Sequence, residues 1–206
     1  MSAPNQVTVT APTTTSNPSG SQPFWLGGKQ GEGVVTDLHG KYYENAVNGN
    51  VFTTSTAAVA TLPTTLSSLA SKWCLLNPAG SGKNLELIRF DFFIGNATEV
   101  VNVIGITKST SVAAALGTLT AGTINNAYLG GTASVATYYT AATHTDTPVW
   151  YKALFAVNAT AVGSFQNYYM VDGAIIVPPG FCIDVVTSVA TQANAWVDAM
   201  WVEVPL

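Results

Sequence analysis

From Val34 onward the chain runs in short apolar or alternating stretches broken by Gly, Pro and Asn, the pattern of β-strands separated by turns. The clearest stretches cover residues 47–55, 72–76, 84–95, 100–107, 148–157, 168–177, 181–188 and 195–204. Eight such stretches suffice for two packed sheets. Between them lies no amphipathic segment of about 10–15 residues, so a parallel βαβ architecture is excluded. The predicted fold class is all-β: an antiparallel β-sandwich, jelly-roll-like, with an extended N-terminal arm. Within Leu85 to Ile94 the out-of-phase step Leu87-Ile88 predicts a bulge or a change of exposed face. Two Gly- and Pro-rich segments, Asn77 to Asn84 and Pro178-Pro179-Gly180, predict hairpin turns. The Ala-, Thr- and Gly-rich stretch 109–147 has few large side chains and fits a short helix, loops across the sandwich edge, or both.

Ahead of these stretches the pattern disappears. Residues 1–23 carry no ionisable side chain and are rich in Thr, Pro, Ser and Asn, a composition that builds neither a core nor a helix. They read as an arm, either a tail or a strap that orders on a neighbouring subunit, closed by the apolar plug Phe24, Trp25 and Leu26. The expected organisation is an extended arm over residues 1–28 and a single β-sandwich domain over 29–206. The first residues lack the charged and apolar regions of a secretory signal, and no run of about 18 apolar residues predicts a membrane span.

Composition sharpens the surface. Of the 206 residues, 9% are charged, against roughly 25% in an ordinary soluble domain. The chain has 27 threonines and one arginine, Arg89, so its outer faces are expected to be threonine-, serine-, asparagine- and alanine-bearing strands. Seven scattered cations and a net charge of -4 make no phosphate-binding patch, and no nucleic-acid partner is expected. Low charge beside 48% hydrophobic residues means weak repulsion between copies, which favours self-association and docking. Cys74 and Cys182 sit in apolar strand-like stretches as buried thiols, with a single bridge between them the other reading; such sparse use fits a reducing cytoplasm.

Candidate chemistry is sparse. The stretch Asn77 to Asn84 superficially resembles a phosphate loop, but Asn77 stands where the leading glycine belongs and Asn84 where a magnesium-binding hydroxyl belongs, and a strand pattern follows. His39 and His144 lie at no ligand spacing from another His, a Cys or a carboxylate pair, so no metal or cofactor is expected. Asp91, Asp172, Asp184, Asp198 and Glu203 read mostly as solvent-facing strand positions, with none selected as a catalytic pair. No catalytic residue is expected. Aromatic residues come in adjacent pairs: Phe24-Trp25, Tyr42-Tyr43, Tyr138-Tyr139, Trp150-Tyr151 and Tyr168-Tyr169. Neighbours in a strand face opposite ways, so one ring of a pair enters the core and the other faces out, as plain packing, an interface anchor or a sugar-stacking platform. Phe24, Trp25, Leu26, Tyr42 and Tyr43, around the end of the arm, are the expected interface anchors.

Three blocks, Gly33 to Glu44, Gly49 to Phe52 and Leu76 to Leu87, resemble structural proteins of tailed bacteriophages, a likeness that covers roughly residues 30–95. The resemblance implies a virion component rather than an enzyme, made in the bacterial cytoplasm, of the small type that decorates or cements a capsid. It implies the major capsid protein as partner and, by analogy with threefold lattice positions, a homotrimer. The alternatives are a receptor- or glycan-binding module of a tail or fibre, or another structural head or tail subunit.

Overall fold

The computed structural model describes residues 40–56, 60–64, 70–97, 102–110, 119–144, 146–157, 163–189 and 191–206. Tyr42–Leu206 form one compact unit. The arm, its plug Phe24, Trp25 and Leu26, His39 and the expected boundary between residues 28 and 29 lie outside the described residues.

The described part is a β-sandwich. A short helix α1 (Tyr43–Val47) leads into β1 (Val51–Ser55), β2 (Ala60–Leu62), β3 (Ala70–Ser71), β4 (Cys74–Asn77), β5 (Lys83–Ala97), β6 (Asn102–Ser109) and β7 (Thr120–Ala121). Next come β8 (Ile124–Asn126), β9 (Thr137–Thr143), β10 (Val149–Val157), β11 (Gly163–Met170), β12 (Ile176–Val177), β13 (Phe181–Thr187) and β14 (Gln192–Pro205). The first sheet has the order β11-β5-β14-β1-β8, with β12 also on β5 and β2 also on β14; the second has the order β10-β6-β13-β4-β9-β3, with β7 also on β9. The strand pairs are antiparallel.

The pairing is nested: β4 with β13, β5 with β12 and β11, β6 with β10. A long antiparallel ribbon that folds over so that its strands alternate between two sheets produces this nesting, which is the jelly-roll principle. β14 and β1 then widen the first sheet, and β9 widens the second.

Alternation decides what lies between the sheets. Leu85, Leu87, Phe90, Phe92 and Ile94 of β5 enter the core together with Val197, Ala199 and Trp201 of β14. The step from Leu87 to Phe90 breaks the period of two. The ladder absorbs it where Met200 opposes Arg89 but Trp201 opposes Leu87, leaving Ile88 as the extra residue of the predicted bulge. Ile88 turns to the outer face, where it packs with Val51 and Val202 beneath Tyr42 and Ala46. On the second sheet Leu75, Ile104, Ile106, Tyr138, Ile183 and Val185 complete the core. Trp73 sits at its centre, 5.8 Å from Phe90 across the sandwich and 5.8 Å from Tyr138.

Several expectations change. Residues 43–47 form a helix, so the first strand begins at Val51 rather than Val47. The stretch 168–177 is two strands, because Asp172 and Gly173 take left-handed backbone angles and turn the chain between β11 and β12. Both Gly-rich turns exist, but neither closes a hairpin. Pro78 to Gly82 carries the chain from β4 in the second sheet to β5 in the first, and Pro178 to Gly180 carries it from β12 back to β13. The two crossings touch: Gly180 donates its backbone N–H to the Asn77 carbonyl at 2.8 Å, and the buried Asn77 amide donates to the carbonyls of Val177 and Lys83. The following element is a strand, so the phosphate-loop reading is excluded by structure as well as by residue type. Within 109–147 the described residues form β7, β8 and β9.

Candidate functional site: a sealed polar cluster and an open groove

Strand register places two sets of chemically able side chains on the outer faces of the sandwich, one per sheet. On the second sheet Ser109 opposes Cys182, which opposes Leu76; one step along, Thr107 opposes Asp184, which opposes Cys74. Cys182 and Asp184 therefore point the same way as Cys74, away from the inter-sheet core. His144 follows directly on β9, whose pairing with β4 and β3 brings it over this patch.

The contacts are close. His144 Nε2 lies 2.9 Å from Asp184 Oδ1, and His144 Nδ1 lies 2.9 Å from Ser109 Oγ and 3.8 Å from Cys182 Sγ. Ser109 Oγ and Cys182 Sγ are 2.8 Å apart. Cys74, His144 and Asp184 each offer a donor atom, and these atoms lie within 4.8 Å of one another. Leu76, Leu119, Tyr139 and Ala142 pack around the two thiols.

Charge follows from these contacts. Burial opposes a charged imidazole, yet the hydrogen bond to Asp184, with Cys182 and the Asp184 charge adding to it, pushes His144 up to about 10. The side chain of Cys74, then those of His144 and Ser109, pull the Cys182 thiol down to about 6 against its burial. Burial itself, with Cys182 and Asp184 alongside, pushes Cys74 well above the usual thiol range. The connectivity of nucleophile, imidazole and carboxylate suggests acyl chemistry, but the patch is closed to substrate: Cys74 and Cys182 are 0% exposed, His144 and Asp184 1%, Ser109 4%.

The first sheet has an open counterpart. Across its outer face Ser55, Asp198, Asp91 and Tyr168 form one row, and Trp196, Phe93 and Gln166 the next. Phe93 and Trp196 meet edge to face at 5.4 Å, and Trp196 lies over Gly95, where any Cβ would collide with its ring. Phe93 and Trp196, with Ser55, Asp91, Gln166 and Asp198, line a shallow groove of about 320 Å³. Asp91 and Asp198 oppose each other directly, a like-charge pairing that Arg89 moderates by holding Asp91 at 2.8 Å.

Of the expected anchors, Tyr42 is engaged within the chain, packing on Ile88, Val51 and Val202 and donating its hydroxyl to Asp172, whereas Tyr43 is largely exposed. Two of the other aromatic pairs, Tyr138-Tyr139 and Tyr168-Tyr169, split as alternation requires. Tyr138 and Tyr169 face the core side, while Tyr168 and Tyr151 face out. Two expectations about polar residues fail. Asp184 and Glu203 are buried, not solvent-facing; Glu203 accepts from Lys83, Ser134 and the Val135 backbone, which offsets its desolvation. His144, remote in sequence from every thiol and from Asp184, stands beside them, because residues far apart along the chain become neighbours through sheet pairing. Both described cysteines are free. Among the described residues no helix is long and apolar enough to cross a membrane. Comparison of the chain with protein-family models, with curated proteins and with solved structures found no match.

Proposed function

We propose that this protein is a non-enzymatic virion structural protein that decorates and stabilises a bacteriophage capsid by binding the shell of major capsid protein. The observation that carries the reading is a surface poor in charge and rich in outward-facing apolar side chains. Leu129 is 90% exposed, Val189 74% and Tyr168 62%, with Val149 and Ile176 above half. Such side chains cost little on an isolated surface when scattered, but they supply the apolar area that association removes from water. The phage-like blocks within residues 30–95 point to a capsid as the surface that covers them. Self-association, as a trimer on threefold lattice positions, fits the weak repulsion between copies.

Shells assembled without the protein provide the test. Added purified protein is expected to cosediment with them to a saturating ratio and to raise the temperature at which they rupture. It is expected to run as a trimer in light scattering. A monomer that leaves both sedimentation and rupture unchanged would overturn the proposal.

The groove on the first sheet favours a second reading, a glycan-binding module of a tail or fibre. Phe93 and Trp196 offer ring faces and edges, and Asp91, Asp198 and Gln166 offer hydrogen-bonding groups beside them, the combination that holds a neutral sugar. Saturation-transfer NMR with neutral oligosaccharides is expected, on this reading, to give signals that Trp196→Ala abolishes. Silence with every sugar would leave the capsid reading alone. Release of new reducing ends would make Asp91 and Asp198 a catalytic pair and sink both readings.

A further inference from the structure

We propose that Cys74, Cys182, His144 and Asp184 form a closed structural site for a thiophilic divalent metal ion, zinc by the chemistry of its donors. Two sulfurs, one imidazole nitrogen and one carboxylate oxygen make a set that suits zinc and is foreign to calcium or magnesium, which take oxygen ligands throughout. The chain has two cysteines and two histidines in all, and both cysteines and one histidine meet here.

Geometry supports the assignment. The donor atoms of Cys74, His144 and Asp184 lie within 4.8 Å of one another, and Cys182 Sγ lies 3.8 Å from His144 Nδ1. A tetrahedral zinc with bonds of about 2.0–2.3 Å holds its donors about 3.3–3.8 Å apart, so bringing Cys74, His144 and Asp184 onto one ion needs side-chain shifts of about an ångström. Nε2 meets Asp184 Oδ1 at 2.9 Å and Nδ1 meets Ser109 Oγ at 2.9 Å, so whichever ring nitrogen binds the ion, the other keeps a partner. That is the outer hydrogen bond that sets the tautomer and orientation of a metal-binding histidine.

A second, independent observation points to a cation. Asp184 is 1% exposed, and its Oδ2, closed to bulk solvent, has no hydrogen-bond partner among the described residues. A buried carboxylate oxygen left in this way is costly, and a bound cation removes the cost. The surroundings admit no substrate, which matches a structural site with four protein ligands rather than a catalytic one with an open position. Such an ion would join β4, β13 and the end of β9, doing for the second sheet what a disulfide does elsewhere.

The experiment uses the full-length protein purified from zinc-supplemented culture, with metal content measured by mass spectrometry. One zinc per chain is expected. Exchange for cobalt is expected to give a thiolate-to-cobalt charge-transfer band and visible bands of tetrahedral intensity, a readout that needs no variant. Chelation during heating is expected to lower the unfolding temperature. Cys74→Ser and Asp184→Asn are expected to lose the ion, His39→Ala to keep it, and Ser109→Ala to weaken it about 10–100-fold. A chain that holds no zinc and gives a cobalt spectrum without thiolate bands would overturn the proposal. So would zinc retained in a folded Cys74→Ser, zinc lost in His39→Ala, or recovery of the two cysteines as a disulfide after purification under reducing conditions.

Discussion

Trp73→Ala is expected to lower the stability of the sandwich by about 3–5 kcal/mol. Trp73 lies outside the strands, in the bend between β3 and β4, yet it is fully buried and forms the joint between the sheets. Its ring packs against Phe90 of the first sheet at an interplanar angle of 67° and against Tyr138 of the second at 48°. Truncation removes these contacts and leaves a cavity with rigid strands on both sides, which relax only in part. Urea unfolding followed by circular dichroism measures the loss. The indole Nε1 is buried without a hydrogen-bond partner among the described residues, so Trp73→Phe gives up ring area but also relieves an unsatisfied donor. It is expected to cost much less than the alanine variant. Equal losses for the two would mean that the cavity is not what matters.

Asn77→Ala is expected to cost about 2–4 kcal/mol, large for a residue of its size. Its side-chain amide donates at 2.8 Å to the carbonyls of Val177 and Lys83, and so ties both inter-sheet crossings at one end of the sandwich. Lys83 keeps a second donor in Ser81, but the hydrogen bond to Val177 is buried and its carbonyl loses that amide. Asn77→Asp presents a second acceptor where a donor is needed and is expected to be at least as damaging. Hydrogen exchange at Val177 and Gly180 should rise in either variant beyond the global change; protection unaltered at both positions would show that the amide does not hold the crossings together.

The two outer faces invite different chemistry because they differ in access. The groove of Phe93, Trp196, Asp91 and Asp198 is open, so whatever it does it does with something outside the chain. The patch of Cys74, Cys182, His144 and Asp184 is sealed, so its polar groups act on the fold itself. A protein that stabilises a shell needs both properties: a surface that another subunit can cover, and a framework that does not deform when load is transmitted through it. On the proposed capsid role, a metal ion across β4, β13 and β9 would stiffen the second sheet, and the exposed apolar positions would take up the partner.

Much of the architecture is legible without coordinates, because it rests on local alternation. The period of two in β5 and β14 sets which side chains enter the core, and the doubled apolar step at Leu87 and Ile88 predicts the bulge that the ladder contains. Adjacent aromatic residues such as Tyr138-Tyr139 and Tyr168-Tyr169 divide between faces for the same reason. Turn chemistry places the breaks at Pro78 to Gly82 and Pro178 to Gly180, since glycine at positions 80, 82 and 180 accepts the left-handed angles that they use.

What a turn connects is not local. A Gly-rich reversal looks the same whether it joins neighbours in one sheet or strands in facing sheets, and only the nested pairing of β4 with β13 and β5 with β12 decides it. The same long-range pairing brings Cys74, Ser109, His144, Cys182 and Asp184 together from four separate strand regions, and sets Asp91 opposite Asp198. Hydrophobic period determines by itself that the chain forms sheets and which side chains of β5 and β14 enter the core. Register between strands distant in sequence, fixed by packing around Trp73, Phe90 and Tyr138, determines which polar side chains meet, and no spacing along the chain encodes that meeting.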